Sequence, residues 1–169
     1  AESHTFQEIS QMGLEMLGAV DEEAVEQAVC LAAQSLEQLG RPWVLEVSHM
    51  GYLFGLFDAL GVPETARPGL LAALRAKNIH ELRAAAAAAG LEGAGADALT
   101  ALLELSGDYA AVLPKAEALC RNARMREAAA ELRTLAAPLA QAGGTARLDL
   151  TLAGEMEYYN GLVFQGYLR

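Results

Sequence analysis

The stretch from Leu148 to Arg169, LDLTLAGEMEYYNGLVFQGYLR, carries the strongest strand character in the chain. Leu148, Leu150 and Leu152 alternate with Asp149, Thr151 and Ala153, the period-two pattern of a half-buried strand. After Gly154-Glu155-Met156 a second run sets Tyr158, Leu162, Phe164 and Leu168 on one face; Tyr159, Gly161, Val163, Gln165 and Tyr167 fall on the other. Two adjacent runs with a short connection predict an antiparallel hairpin. A lone hairpin is marginal in water, so these strands need a sheet to join.

Working outward, a partner is expected near the start of the chain. Residues Thr5 to Leu17, TFQEISQMGLEML, place Gln11, Gly13 and Glu15 on one strand face and Met12, Leu14 and Met16 on the other. On the polar face Gly13 removes a side chain between an amide and a carboxylate. That leaves room for a small ligand, or else marks a bulge in a half-exposed sheet. A helix follows, capped by Asp21, with Glu22 and Glu23 in its first turn where the helix dipole favours negative charge. Val25, Val29, Ala32, Leu36 and Leu39 form its apolar stripe, and Gly40-Arg41-Pro42 ends it. WVLEVS, from Trp43 to Ser48, reads as a short strand, with Ser48 as cap of a helix running to Gly61.

From Pro63 to Gly144 the chain reads as helices. ARPGLLAALRAKN and IHELRAAAAAAGL are broken near Lys77-Asn78, where a helix–helix turn is expected, and Ala84 to Ala89 give high helix propensity without bulk. The last helix, from Met125 to Ala142, should kink or lose regularity at Pro138. The pattern predicts an α+β fold: an antiparallel sheet whose strands at 1-61 and 145-169 belong to one core, with residues 62-144 as an inserted helical region. The chain begins almost inside its first strand and stops at the end of its last, which predicts a fragment of a longer protein.

A net charge of −10 repels phosphate backbones, so nucleic acid is excluded as a general partner of this segment. Arg121, Arg124 and Arg126, the one tight basic cluster, read as a solvated helix face. Cys30 and Cys120 lie far apart among apolar neighbours and read as buried free thiols, in keeping with a reducing, cytoplasmic setting. His4, His49 and His80 show no zinc spacing, and no metal or cofactor is expected. His49, between a strand and a helix, is expected to make local hydrogen bonds at the helix N-terminus. No apolar run approaches the roughly 20 residues of a membrane span, and AESHTFQE is not a secretory signal.

Several segments carry a family resemblance: ISQMGLEMLG, DALGV, ALRAKNIHEL and LDLTLAGEMEYYNGLVFQGY. In this order they resemble the histidyl-tRNA synthetase family, including its non-catalytic relative, the ATP phosphoribosyltransferase regulatory subunit. The tail is similar to the family signature R-G-L-D-Y-Y-T-G-x-V-F-E without gaps. The resemblance implies a class II aminoacyl-tRNA synthetase type of sheet and a histidine-like pocket lined by Gln11, Glu15, Glu157, Tyr158 and Tyr159. Acids there would hold an α-ammonium or imidazolium, and the tyrosines would stack on or hydrogen-bond the ring.

Two departures bear on chemistry. The signature arginine falls on Gly154 and the following glycine on Glu155. Loss of one such electrostatic group typically costs on the order of 10²–10³ in rate, and an added acid compounds it. No catalytic residue is therefore assigned. The resemblance implies a regulatory subunit that supports the first step of histidine biosynthesis and its feedback control by histidine. Its partner would be the transferase catalytic subunit, in a homo-oligomeric assembly. The competing readings are a divergent histidyl-tRNA synthetase, with arginines supplied from outside this segment, and a structural paralogue that binds no ligand.

Overall fold

A computed structural model describes residues 21–152 and 161–169. The strand expected over residues 5–17 lies outside the described residues. The first helix, α1 (Glu22–Glu37), starts as its sequence dictates: the Asp21 carboxylate accepts from the Ala24 N–H at 2.9 Å. Strand β1 (Trp43–His49) is buried along nearly all its length. Buried residues lie on both of its faces, Trp43, Leu45 and Val47 on one and Val44 and Ser48 on the other.

Helix α2 (Met50–Ala59) follows without a linker. Its cap is His49, where Ser48 was expected: the imidazole Nδ1 accepts from the Gly51 N–H at 3.0 Å. Helices α3 (Arg67–Arg75), α4 (Ile79–Ala88) and α5 (Ala94–Ala101) come next, then a three-residue strand β2 (Ser106–Asp108). This strand was not anticipated within a run read as helical; three residues are too few to show a period. Helix α6 (Tyr109–Ala118) is capped by Asp108, and α7 (Ala123–Thr134) by Asn122. Helix α8 (Ala136–Gln141) is separated from α7 at Leu135, three residues before Pro138. Pro138 has no N–H for the Thr134 carbonyl and its ring would clash there, so regularity fails one turn upstream of the proline.

Strands β3 (Thr145–Asp149) and β4 (Leu162–Leu168) complete a four-stranded sheet of order β2-β3-β1-β4. The tail hairpin predicted from sequence does not form. β3 pairs in parallel with β1, Val47 opposite Leu148, and antiparallel with β2, Ser106 opposite Asp149. Both of its edges are thereby occupied, and β4 pairs antiparallel with the other side of β1, Val47 opposite Phe164. The two tail strands flank β1 and do not touch as a ladder.

One face of β1 carries Trp43, Leu45, Val47 and His49 and meets the helices. The Trp43 indole donates to Glu37 of α1, and His49 meets Glu131 of α7. A Cβ on Gly166, opposite Leu45, would press into Leu36 of α1. A contiguous core joins this face to the helices of the inserted stretch, from Leu45, Val47 and Leu148 through Tyr109 and Leu132 to Leu74 and Leu82. At about 25 cal/mol per Å² of apolar area, each fully buried leucine of this set contributes about 1.5–3 kcal/mol relative to exposure. Two buried tyrosines retain hydrogen bonds across it: Tyr52 donates to the Ala116 carbonyl and Tyr109 to that of Leu132, each at 2.7 Å. Burial drives both phenol pKa values well upward, so they stay neutral.

Helices α2, α3 and α4 end in the same pair of backbone bonds. After α2, Gly61 N–H donates to the Asp58 carbonyl and Val62 N–H to that of Phe57; after α4, Gly90 and Leu91 repeat the pattern onto Ala87 and Ala86. After α3, Lys77 and Asn78 do the same onto Leu74 and Ala73. The motif needs a left-handed residue at its first position. Glycine supplies it twice, at φ 68° and 77°, and Lys77 supplies it once, at φ 50°. A side chain in this conformation costs about 1 kcal/mol.

Candidate functional site: the frame of the tyrosine segment

Gln11, Glu15, Glu157, Tyr158 and Tyr159, the pocket residues expected from the resemblance, lie outside the described residues, as do Gly154 and Glu155. The structure places the two ends between which residues 153–160 run.

On the incoming side stands Asp149, 2 % exposed, at the end of β3. One carboxylate oxygen, Oδ1, accepts from the Thr151 N–H at 3.0 Å and the Thr151 hydroxyl at 2.6 Å. The other, Oδ2, accepts from the Ser106 hydroxyl at 2.8 Å and from the Lys77 ammonium at 2.5 Å. The Lys77 ammonium also donates to Ser106 at 3.2 Å. Leu152 N–H closes the turn onto the Asp149 carbonyl at 3.1 Å. Burial by itself would raise the Asp149 pKa; the bonds from Lys77, Thr151 and Ser106 outweigh it and hold the carboxyl below its ordinary value. The turn leading to residue 153 is thus organised by one ionised, buried carboxylate.

On the outgoing side the Gly161 carbonyl accepts from the Met50 N–H at 2.8 Å, where β1 passes into α2. His49 sits at the same corner, 4 % exposed. Its Nδ1 is occupied as acceptor for Gly51, so in the neutral ring Nε2 carries the proton and donates to a Glu131 oxygen at 2.9 Å. Both ring nitrogens are engaged. His49 and Asp149 hold backbone in place; neither presents a free lone pair for proton transfer.

The face of β1 turned from the helices carries Glu46, which lies in register with Arg147 of β3 and Gln165 of β4. Arg147 pairs with Glu46 at 3.3 Å. The Tyr167 hydroxyl next to them is pushed up to about 12, through burial first and then through the hydrogen bond and charge of Glu46.

Cys120 is half-buried, and burial pushes its pKa up; its thiol donates to the Ala116 carbonyl at 3.4 Å, so it is no nucleophile. Among the described residues no group of three His, Cys, Asp or Glu side chains is placed to hold a metal ion. No described helix is long and apolar enough to cross a membrane.

A cavity of about 670 Å³ lies at the opposite end of β1, between α1 and α8, lined by Glu26, Cys30, Glu37, Trp43, Pro138 and Gln141 among others. Trp43 Nε1 donates to Glu37 at 2.6 Å, and Gly144 lies flat against the indole, where a Cβ would overlap the ring. Its volume suits a small molecule, but it is remote from the frame of the tyrosine segment.

Sequence reading missed three residues of this frame. Asp149 entered only as the polar beat of an alternating strand, and Glu131 not at all. Lys77 entered only as part of a turn. The available signal was a lysine where a helix stop ordinarily takes glycine.

A mixed sheet with its helices packed on one face and strands drawn from both ends of the chain defines a class II synthetase-like α+β fold. A solved structure described as an ATP phosphoribosyltransferase regulatory subunit/histidyl-tRNA synthetase from Bacillus halodurans shares it, with a TM-score of 0.76 at 29% identity, over 89% of this chain and 40% of that one. The histidyl-tRNA synthetase family model matches residues 1–169, and the chain belongs to that family. Among curated relatives, ATP phosphoribosyltransferase regulatory subunits from Symbiobacterium thermophilum and Anaeromyxobacter dehalogenans are similar to it. The first is 32% identical over 95% of this chain and 41% of its own length; the second is 36% identical over 95% and 46%. The chain spans less than half the length of these relatives.

Proposed function

We propose that this chain is the synthetase-like part of a non-catalytic regulatory subunit of ATP phosphoribosyltransferase, acting in the cytoplasm. It supports the first step of histidine biosynthesis and its feedback control by histidine. The observation that carries the reading is the likeness, at 32% and 36% identity across 95% of the chain, to relatives named as that subunit. Gly154-Glu155 in place of the signature arginine and glycine supports the absence of catalysis, because activation at a carboxylate and a phosphate needs cations. Gln11, Glu15, Glu157, Tyr158 and Tyr159 line a pocket for histidine. The division into a synthetase-like core, 1-61 with 145-169, and a helical insertion, 62-144, belongs to the same reading. Histidine bound here couples to the interface with the catalytic subunit and between copies of the chain, and that coupling is reciprocal.

The synthetase alternative rests on the family fold itself. ATP–pyrophosphate exchange dependent on histidine, measured on the full-length protein, separates the two. Background exchange together with heat of histidine binding in calorimetry is expected; robust exchange contradicts the regulatory reading. No heat of binding, with or without the transferase, leaves a ligand-free scaffold.

A further inference from the structure

We propose that Lys77 is a positioning residue for the turn from Asp149 to Leu152, set in the helical insertion to hold the backbone on its way to residue 153. The proposal rests on the pocket reading above only for its effect on histidine; the effect on the turn stands by itself.

The case begins with three helix ends of identical bonding. At Gly61 and Gly90 a Cβ would meet nothing within 4 Å, so glycine is there for its backbone and not for lack of space. Lys77 adopts the same left-handed conformation at φ 50°, the one non-glycine residue with positive φ among those described. Lysine at this position strains a backbone that glycine would relieve, and its side chain is engaged in return. That side chain spans from the α3–α4 turn to Asp149, and its ammonium is the only cation paired with that buried carboxylate among the described residues.

Asp149 in turn binds the N–H and hydroxyl of Thr151, two residues before residue 153. Ser106 of β2 clamps the same oxygen that Lys77 holds. A displacement of the α3–α4 turn therefore moves the cation, unbalances the carboxylate and loosens the Thr151 turn. The chain of contacts runs from the insertion to the turn at Thr151 through three side chains, Lys77, Asp149 and Thr151.

The substitution Lys77→Gly separates this role from a merely stabilising one. It removes the ammonium but also removes the left-handed strain, so the two effects on folding oppose each other. In the full-length protein its melting temperature is expected within about 4 °C of wild type. Hydrogen exchange at the amides of Thr151 and Leu152 is expected to accelerate at least about fivefold. Lys77→Arg restores the wild-type rate to within about twofold. Arg67→Met, which removes an ion pair from the start of α3 to Asp58 of α2, leaves exchange at this turn unchanged. Exchange at the wild-type rate in the Lys77→Gly protein overturns the proposal.

Histidine titration is the second arm. Affinity is expected to fall at least about fivefold in Lys77→Gly and to hold in Arg67→Met. Unchanged affinity alongside faster exchange overturns the link to the pocket. A wild-type protein that binds no histidine overturns the pocket reading instead, and the exchange result still decides the role of Lys77.

Discussion

At the C-terminal end of β1 the buried His49 and Asp149 side chains are bound through both ring nitrogens and both carboxylate oxygens, whereas at its N-terminal end the Trp43 indole and Glu37 border a cavity of about 670 Å³. The two ends share a strand and a helical layer but differ in how polar groups are used. At the first, Asp149 accepts four side-chain and backbone bonds and His49 spends both nitrogens, so two backbone turns are fixed on either side of residues 153–160. At the second, one short hydrogen bond joins Trp43 to Glu37, and the lining mixes buried Ala33 and Leu139 with polar residues such as Glu26 and Gln141. Open volume thus marks one end and fixed geometry the other. The described ends of the family signature's flanks, Leu152 and Gly161, both lie at the fixed end.

Breaking the fixed end has the largest expected effect. Asp149→Ala leaves the Thr151 N–H, the Ser106 hydroxyl and the Lys77 ammonium without their acceptor, and unfolding in urea should show a loss of about 3 kcal/mol. A loss below about 1 kcal/mol would show that water replaces the carboxylate freely. The same group predicts an acid limb. Its pKa is depressed on folding, so its contribution is complete above the ordinary aspartate value and fades as pH falls below about 4. At Asp58 burial would raise the pKa, but Arg124 and Arg67 together outweigh it and hold the carboxyl below its ordinary value, which adds in the same direction. Stability measured against pH should therefore decline below pH 4 in wild type and decline less steeply in Asp149→Ala.

At the open end the sensitive point is not the cavity but the wall behind it. Gly144→Ala drives a Cβ into the Trp43 indole and should cost about 2–3 kcal/mol, read from the urea midpoint. A near-neutral result would mean that the indole swings into the cavity, and the two ends would then differ in rigidity more than proposed. The smallest effect is expected at His49→Ala, where α2 loses its cap and Glu131 its donor, for about 1–2 kcal/mol. Circular dichroism should locate that loss in helix content near neutral pH.

Much of this contrast was legible in the residues. Asp21 as a cap, the break at Lys77-Asn78 and the strand WVLEVS all follow from local chemistry, and the structure places them as read. The α1 stripe holds at Val29 and Leu36, while Leu39 lies beyond the helix and is exposed. His49 makes the expected helix-end hydrogen bond, though it displaces Ser48 as the cap. What local chemistry does not contain is the order of strands. Leu148 to Leu168 looked like a hairpin because neighbours in sequence usually pair. Yet β1 lies between the two strands, with β3 on one edge and β4 on the other, and β2 occupies the remaining edge of β3. Nor does local chemistry show that Lys77 reaches Asp149 across 72 positions of chain. That contact exists only once the α3–α4 turn has docked on the sheet.

The central claim is tested most directly by the transferase itself. The catalytic subunit of ATP phosphoribosyltransferase, assayed with and without the full-length protein and then with added histidine, should gain activity on addition and lose that gain with histidine. A catalytic subunit whose rate and histidine response are the same in both cases, with no complex on gel filtration, would contradict the account.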